Sequence, residues 1–195
     1  MTLRFDESQL RLELTAAPPS VRLAFAVACA ERLFGGYQTF NQHAGKGDVP
    51  LVRDTLNKLW TIASLSGAYP DIDDTIVRLE FLLPAEEGDE WTSDFAVAEN
   101  AIASLIFAAY VAKTGDTNSA MLSARRAYET ADYLATLTTN AKSFTAELEA
   151  SLLASPQVQK ELESQQYDIA LLAQSTIEDT ISQSVEVVRS RAMSF

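Results

Sequence analysis

The chain has 195 residues, and 27 acidic against 15 basic side chains give it a formal net charge of −12. Because nucleic acids and anionic lipids are bound through basic faces, this charge argues against both classes of partner. One histidine and one cysteine exclude an intrachain disulfide, a four-thiolate metal site and the two or three imidazoles of most catalytic zinc centres. We therefore expect no metal and no other cofactor.

The length fits one domain over residues 1–195, and an apolar content of 47% is ordinary for a soluble protein. The first residues, MTLRFDESQLRLEL, carry acids and lack the apolar core of a signal peptide. The apolar stretch over 95–112 is nearly long enough to span a membrane, but Glu99 and Asn100 interrupt it, and a carboxylate is costly in hydrocarbon. We expect a cytoplasmic protein with no membrane partner.

The predicted elements are all helical, because no alternating apolar and polar run and no Asn-Gly or Asp-Gly hairpin indicates a strand. The first residues are a weak helix or an extended arm that ends at the proline pair 18–19. Ser20 is then expected to cap a helix that is apolar nearly all round, and Gly35-Gly36 to kink or interrupt it. The glycines at 45 and 47 end this part of the chain.

Asp48 is predicted to cap the next helix, which has a clean amphipathic stripe as far as Ala63. Asp71 opens a helix through Leu83, and an acidic loop or cap follows over 85–94. Ser93 or Asp94 begins the apolar helix, which runs to position 113.

Asp116 or Thr117 caps a helix to position 137, and a short helix follows over 144–153. Ser155 and Pro156 form a strong start signal for a last helix, which is predicted as one element to about position 189. The fold is therefore predicted as an all-α, irregular bundle of six or seven helices. The apolar stripe of the last helix exceeds what one neighbour covers, so a homodimer through this helix is possible.

Several residues able to do chemistry are predicted to form a polar pocket, in which Arg32 binds an anion and Glu31 or His43 moves a proton. The alternative is a structural network that ties helix ends together. In that case Glu99 is paired to Arg32, Arg125 or Arg126, or is simply exposed in the N-terminal turn of its helix, where negative charge is favoured. The candidate pocket consists of Glu31, Arg32, Tyr37, His43, Asp48 and Glu99.

Two other patterns near this cluster favour structural interpretations. The segment Gly45-Lys46-Gly47 precedes a helix but lacks the spacing of a phosphate-binding loop, and Asp48 would repel an anion from the helix amides. A Cys29–His43 dyad is conceivable, yet a thiol in an apolar helix usually packs as a small hydrophobic group.

The net charge is concentrated in residues 71–94, where nine acidic residues face one base, Arg78, for a local charge of −8. Such a surface can steer a basic partner, and the alternative is a solvated face with no partner. The candidate partner surface consists of Asp71, Asp73, Asp74, Glu86, Glu87, Asp89 and Glu90.

Residues 29–60, CAERLFGGYQTFNQHAGKGDVPLVRDTLNKLW, resemble the bacterial YjaG-like family, grouped as domain of unknown function 416. The resemblance extends to an acid in the apolar helix, Glu99, and to the start of the last helix at Ser155. The chain departs from the family pattern at Gly35-Gly36, where a proline is typical. The matching positions are Cys29, Glu31, Arg32, Phe34, Tyr37, Phe40, Gly45, Gly47, Asp48, Leu59 and Trp60.

The resemblance implies an all-helical, bacterial, cytoplasmic protein, and it brings no catalytic residues because no activity is established for the family. From the charge we expect a non-enzymatic interaction protein of the adaptor or immunity type that binds a basic protein. The alternative is a small-molecule binder or weak enzyme that uses the polar pocket.

Overall fold

The structure is a computed structural model that describes residues 2–65, 68–83, 93–139, 143, 145–174 and 178–194, without the side chains of 178–181. All regular structure in these residues is helical, so the all-α prediction is confirmed, whereas the count of six or seven helices is wrong. The described part of the chain contains nine helices: α1 (Glu7–Ala16), α2 (Pro19–Ala44), α3 (Val49–Leu65), α4 (Ile72–Glu80), α5 (Ser93–Thr114), α6 (Thr117–Leu137), α7 (Ala146–Leu153), α8 (Pro156–Ala173) and α9 (Glu178–Met193).

The core is built around α2, which packs against α3, α5, α6, α8 and α9. Apolar side chains cover nearly its whole circumference, as is expected of a helix surrounded by others. Its largest contact is with α5. By length and composition α5 is also the one described helix that could cross a membrane, and more than half of its apolar stretch is buried against its neighbours.

Helix α2 is continuous through Gly35 and Gly36, so no interruption occurs there. A Cβ atom at Gly36 would overlap the side chain of Val97 on α5. This glycine therefore lets the two central helices approach each other closely.

Three of the predicted helix starts are confirmed by their capping hydrogen bonds. In each case the side chain of the capping residue accepts a hydrogen bond from the backbone N–H three positions later. The distances are 2.9 Å for Asp48, 2.8 Å for Asp116 and 3.4 Å for Ser155. The prediction of Ser20 as a cap is wrong, because α2 already begins at Pro19. Proline is favoured in the first turn, where its missing N–H would have no helical partner.

One predicted helix boundary in the acidic half also differs. The helix opened by Asp71 ends at Glu80, and Leu82 and Leu83 follow in a turn. The acidic loop from position 85 to position 92 lies outside the described residues.

The last helix is not one element, as predicted, but two. Helix α8 ends at Ala173 and packs mainly against α6 and α2, whereas α9 begins at Glu178 and packs against α2 and α3. The described members of the apolar stripe are thus covered within one chain, and the homodimer stays a prediction. The buried members of this stripe among the described residues are Val158, Leu162, Ile169, Leu172, Val185 and Val188.

Candidate functional site

Arg32 lies at the centre of a buried ionic cluster that joins α2 to α8. Its Nε and Nη2 donate to the two carboxylate oxygens of Glu161 at 2.8 and 3.0 Å, and its Nη1 donates to Asp168 Oδ2 at 2.7 Å. All three side chains are at most 3% exposed. The planar fork of a guanidinium matches a carboxylate in this bidentate way, which a lysine cannot do.

Further hydrogen bonds hold Glu161 in this group of Arg32, Glu161 and Asp168, which we call the Arg32 cluster. Gln165 donates to Glu161 Oε1 at 2.8 Å and to the carbonyl of Ala124 at 3.0 Å. Burial has the largest single effect on the pKa of Arg32 and acts to lower it, but the combined attraction of the neighbouring groups, with Glu161 foremost, outweighs burial and raises that pKa, so the guanidinium stays charged.

In the described part of the chain, the carboxylate of Asp168 has fewer hydrogen-bond partners than that of Glu161. Its Oδ1 has no hydrogen-bond partner among the described residues, and Arg191 Nε on α9 lies 3.8 Å away. Burial raises the pKa of Asp168, and the neighbouring Arg32 counteracts only part of that effect.

Sequence reasoning missed Glu161, Gln165 and Asp168, although a signal was present. They are spaced by four and three residues and alternate with Val158, Leu162 and Ile169 on the buried face of α8. Polar residues on the core face of an amphipathic helix need partners, so this pattern indicates a buried polar cluster.

Glu31 is also buried, but it points towards α3 rather than α8. Its Oε1 accepts from Arg53 Nη1 at 2.6 Å and its Oε2 from Trp60 Nε1 at 3.0 Å. The Arg53 guanidinium lies 3.8 Å from the centre of the Phe34 ring. Adjacent helical residues point about 100° apart, which explains why Glu31 and Arg32 serve different contacts.

Tyr37 and Asp48 stabilise the turn between α2 and α3. The Tyr37 hydroxyl accepts the backbone N–H of Asp48 at 2.9 Å, and burial raises the pKa of Tyr37. His43 lies farther along α2, and its Nδ1 is 2.7 Å from Asp94 Oδ2 with 66% of its side chain exposed.

Glu99 is half-buried on α5. None of the three arginines considered as its partners forms an ion pair with it in the described part of the chain, and Arg126 Nη1 instead donates to Asn100 Oδ1 at 3.3 Å. The six residues of the predicted polar pocket therefore do not converge. Only Arg32 lines the cavities beside α8.

Two cavities adjoin the Arg32 cluster, and both are lined by Arg32 and Lys160. The larger, which we call the chamber, has a volume of about 360 Å³ and lies between α2, α5, α6 and α8. The smaller, about 180 Å³, lies between α8 and α9 beside Asp168 and Arg191. Among the residues that the structure describes, no group of three or more His, Cys, Asp and Glu side chains is arranged to hold a metal.

The geometry does not bring the candidate nucleophile Cys29 together with the candidate base His43. Cys29 is fully buried, burial raises the pKa of its thiol, and it accepts a hydrogen bond from Arg32 at 3.4 Å. His43 is fourteen residues farther along the same helix, a separation of roughly 21 Å at the rise of an α-helix.

The predicted acidic surface is described only in part. Asp71, Asp73 and Asp74 are exposed at the start of α4, and Asp73 forms an ion pair with Lys113. Glu86, Glu87, Asp89 and Glu90 lie outside the described residues.

Helix α4 also exposes apolar side chains beside these acids. Val77 is 50% exposed and Phe81 is 84% exposed, and they follow Asp73 by four and eight residues. Phe81 directly follows the last residue of α4, keeps helical backbone angles and donates its N–H to the carbonyl of Val77 at 3.2 Å. The spacing of four residues that makes neighbours on a helix therefore extends to Phe81, and the acids and the apolar groups form one strip. We call Asp73, Asp74, Val77 and Phe81 the α4 surface.

Comparison with known proteins gives a family and a fold. The family described as "Protein of unknown function (DUF416)" matches residues 9–194. The crystal structure of a DUF416 family protein from Shewanella baltica OS155 is similar over 94% of this chain and 93% of that chain, with a TM-score of 0.82 and 17% sequence identity. At that identity the likeness concerns the fold alone. The search of curated proteins gave no match.

Proposed function

Because the chain belongs to DUF416, a family of unknown function, we propose its function from its own surface: it is a non-enzymatic interaction protein whose α4 surface binds a basic protein. The observation that carries this proposal is the position of Phe81. This ring is 84% exposed, and it shares a helix face with Val77 and two carboxylates.

An exposed aromatic ring beside a β-branched side chain is a typical anchor of protein interfaces, where few residues supply most of the affinity. Burying Phe81 in a partner removes a large apolar area from water, which contributes about 1.5–3 kcal/mol for a fully buried phenylalanine. The partner should therefore present an apolar recess.

The charge around this anchor supports a basic partner. Asp73 and Asp74 lie one turn before Val77, and the segment from 71 to 94 carries a net charge of −8. Such a field accelerates association with a basic protein and repels acidic competitors. Lys113 already pairs with Asp73, so the selectivity depends on the summed field more than on that one carboxylate.

The non-enzymatic part of the proposal is supported by the buried ionisable groups. Both oxygens of Glu161 accept hydrogen bonds from Arg32, and Asp168 is held by the same guanidinium. Carboxylates tied in this way stabilise a fold but are poorly placed to exchange a proton with a substrate.

Site-specific photo-crosslinking tests the apolar anchor. A benzoyl-phenylalanine at position 81, expressed in the native host, should crosslink a protein of basic isoelectric point. The matched control carries the same group in place of Leu12 on α1, which is 68% exposed. Equal products at both positions, or none at position 81, would contradict the proposal.

Neutralising the acidic side chains then tests charge recognition, with the partner that crosslinking has identified. Asp73→Asn, Asp74→Asn and neutral forms of Glu86, Glu87, Asp89 and Glu90 should together slow association and weaken its dependence on salt. Glu163→Gln with Glu186→Gln, two exposed acids on α8 and α9, is the control. An association rate that is unaffected by salt and by the acidic set would overturn the proposed charge recognition.

A further inference from the structure

The chamber beside the Arg32 cluster has the size and the lining of a small-molecule site. Its volume of about 360 Å³ falls in the range of roughly 300–1,000 Å³ that ligand pockets occupy. Most of its wall is apolar. At the polar end α8 contributes Gln157, Lys160 and Glu161 beside Arg32, and Thr130 on α6 is a further polar residue of the lining. The aliphatic wall consists of Leu33, Val97, Ala127, Ala131 and Leu134.

The apolar end of the chamber is open space rather than tightly packed core. Gly35 is exposed, a Cβ atom built on it meets no heavy atom within 4 Å, and Leu134, which also lines the chamber, is 39% exposed, so this part of the chamber opens to solvent. An apolar chain placed here would cover Leu134 and remove further aliphatic surface from water, which is favourable.

The polar end favours an anion over a cation. Both carboxylate oxygens of Glu161 already accept hydrogen bonds, from Arg32 and from Gln165, so this acid is ill suited to bind a cationic group. Lys160 offers three N–H donors, and it can bind an acceptor in addition to another contact. Lys160 lines the chamber together with Gln157, which lies three residues earlier on α8, and its side chain is exposed at the surface.

We propose that the chamber binds a medium-chain carboxylic acid, with its carboxylate at Lys160 and its hydrocarbon chain between α2 and α6. A charged head beside a lysine and a chain against aliphatic walls satisfy both ends of the site. This inference is independent of the α4 surface, which lies on another helix.

Calorimetric titration with butanoate, octanoate and dodecanoate, each below its micellar concentration, tests whether the affinity depends on the length of the hydrocarbon chain. The affinity should rise about fourfold per methylene group, as expected for burial of about 0.8 kcal/mol each, and level off once the chamber is full. Absence of binding, or an affinity that does not depend on chain length, overturns the proposal.

Octanol in place of octanoate tests the head group. Octanol should bind more weakly than octanoate, and Lys160→Gln should reduce octanoate to the affinity of octanol while leaving octanol unchanged. If Lys160→Gln weakens both ligands equally, or neither, the carboxylate does not lie at Lys160.

Filling the chamber tests its location. Gly35→Leu should abolish octanoate binding, whereas Gly35→Ala, which adds one methyl group to open space, should retain most of it. Both changes favour a helix, since alanine and leucine have higher helix propensities than glycine. Should Gly35→Leu fail to fold, Leu134→Ala decides: a larger chamber should shift the preferred chain length upwards. Unchanged binding by these variants places the ligand elsewhere.

Discussion

Arg32 and Glu161 are joined by two parallel hydrogen bonds, Nε to Oε2 at 2.8 Å and Nη2 to Oε1 at 3.0 Å, across 129 positions of sequence. The pair connects the central helix α2 to α8 inside the protein. Two charges removed from water attract each other strongly, but each has lost its hydration, so the pair adds little compared with apolar residues of the same shape. The cost of breaking it by removing one partner is much larger.

Arg32→Met should therefore lower the free energy of unfolding by about 3–5 kcal/mol, because Glu161 and Asp168 are left buried and uncompensated. Urea titration followed by circular dichroism measures this loss. The control is Arg125→Gln, which removes an exposed pair with Glu7 and Glu129 and should cost less than about 1 kcal/mol. If both variants lost a similar free energy of unfolding, the carboxylates of Glu161 and Asp168 would not be left uncompensated by removal of Arg32, which would contradict the prediction.

Asp168 gives the protein a pH dependence of definite sign. Because burial raises its pKa in the folded state, Asp168 stabilises the fold at pH values below the ordinary pKa of aspartate. This stabilisation is lost as the pH rises through the raised pKa. Asn cannot ionise, so Asp168→Asn should gain stability relative to the wild type as the pH increases from acid to neutral. Urea unfolding of both proteins across this range is the measurement. A difference that is constant with pH, or that grows in the opposite direction, would falsify the assignment of a raised pKa.

The helix starts could be predicted from the sequence because their causes are local. Asp48, Asp116 and Ser155 each sit at the beginning of an apolar periodic stretch, and each caps the helix found there. The break after Ala173 could not be predicted in this way, because the apolar spacing continues past it. It separates two stretches that both contact α2 but differ in their other main neighbour, which is α6 for α8 and α3 for α9, and that is decided by tertiary structure.

The contacts of the candidate pocket residues were harder to predict. Glu31 and Arg32 are adjacent in sequence, but successive helical residues point in different directions, so the two side chains contact different helices. Arg32 found its partners on α8, and no local pattern around residue 32 predicts contacts that distant. The polar positions on the buried face of α8 carried the missing information.

Cys29 should be inert in the folded protein, because the thiolate is the reactive form and burial raises the pKa of this thiol. Iodoacetamide at neutral pH should label it only after unfolding in denaturant, as measured by mass spectrometry. The control is Thr39→Cys in a Cys29→Ala background, which places a thiol at an exposed position of α2 and should be labelled in the folded state. Rapid labelling of Cys29 in the native protein would contradict its inertness.

The turn after α2 depends on a close contact between Gly47 and Tyr37. Gly47 has a φ of +100°, and a Cβ atom there would overlap the Tyr37 hydroxyl, which accepts the N–H of Asp48. Gly47→Ala should therefore destabilise the protein by more than the roughly 1–3 kcal/mol of a strained backbone alone. Gly45→Ala is the matched control, because that φ is also positive at +64° but its Cβ would meet open space.

A double-mutant cycle separates the two costs at Gly47, with thermal or urea unfolding as the measurement. Tyr37→Phe removes the hydroxyl, so Gly47→Ala should cost less in that background than in the wild type, whereas Gly45→Ala should cost the same in both. Additive effects of Tyr37→Phe and Gly47→Ala would mean that the backbone conformation, rather than contact with the hydroxyl, requires glycine at position 47.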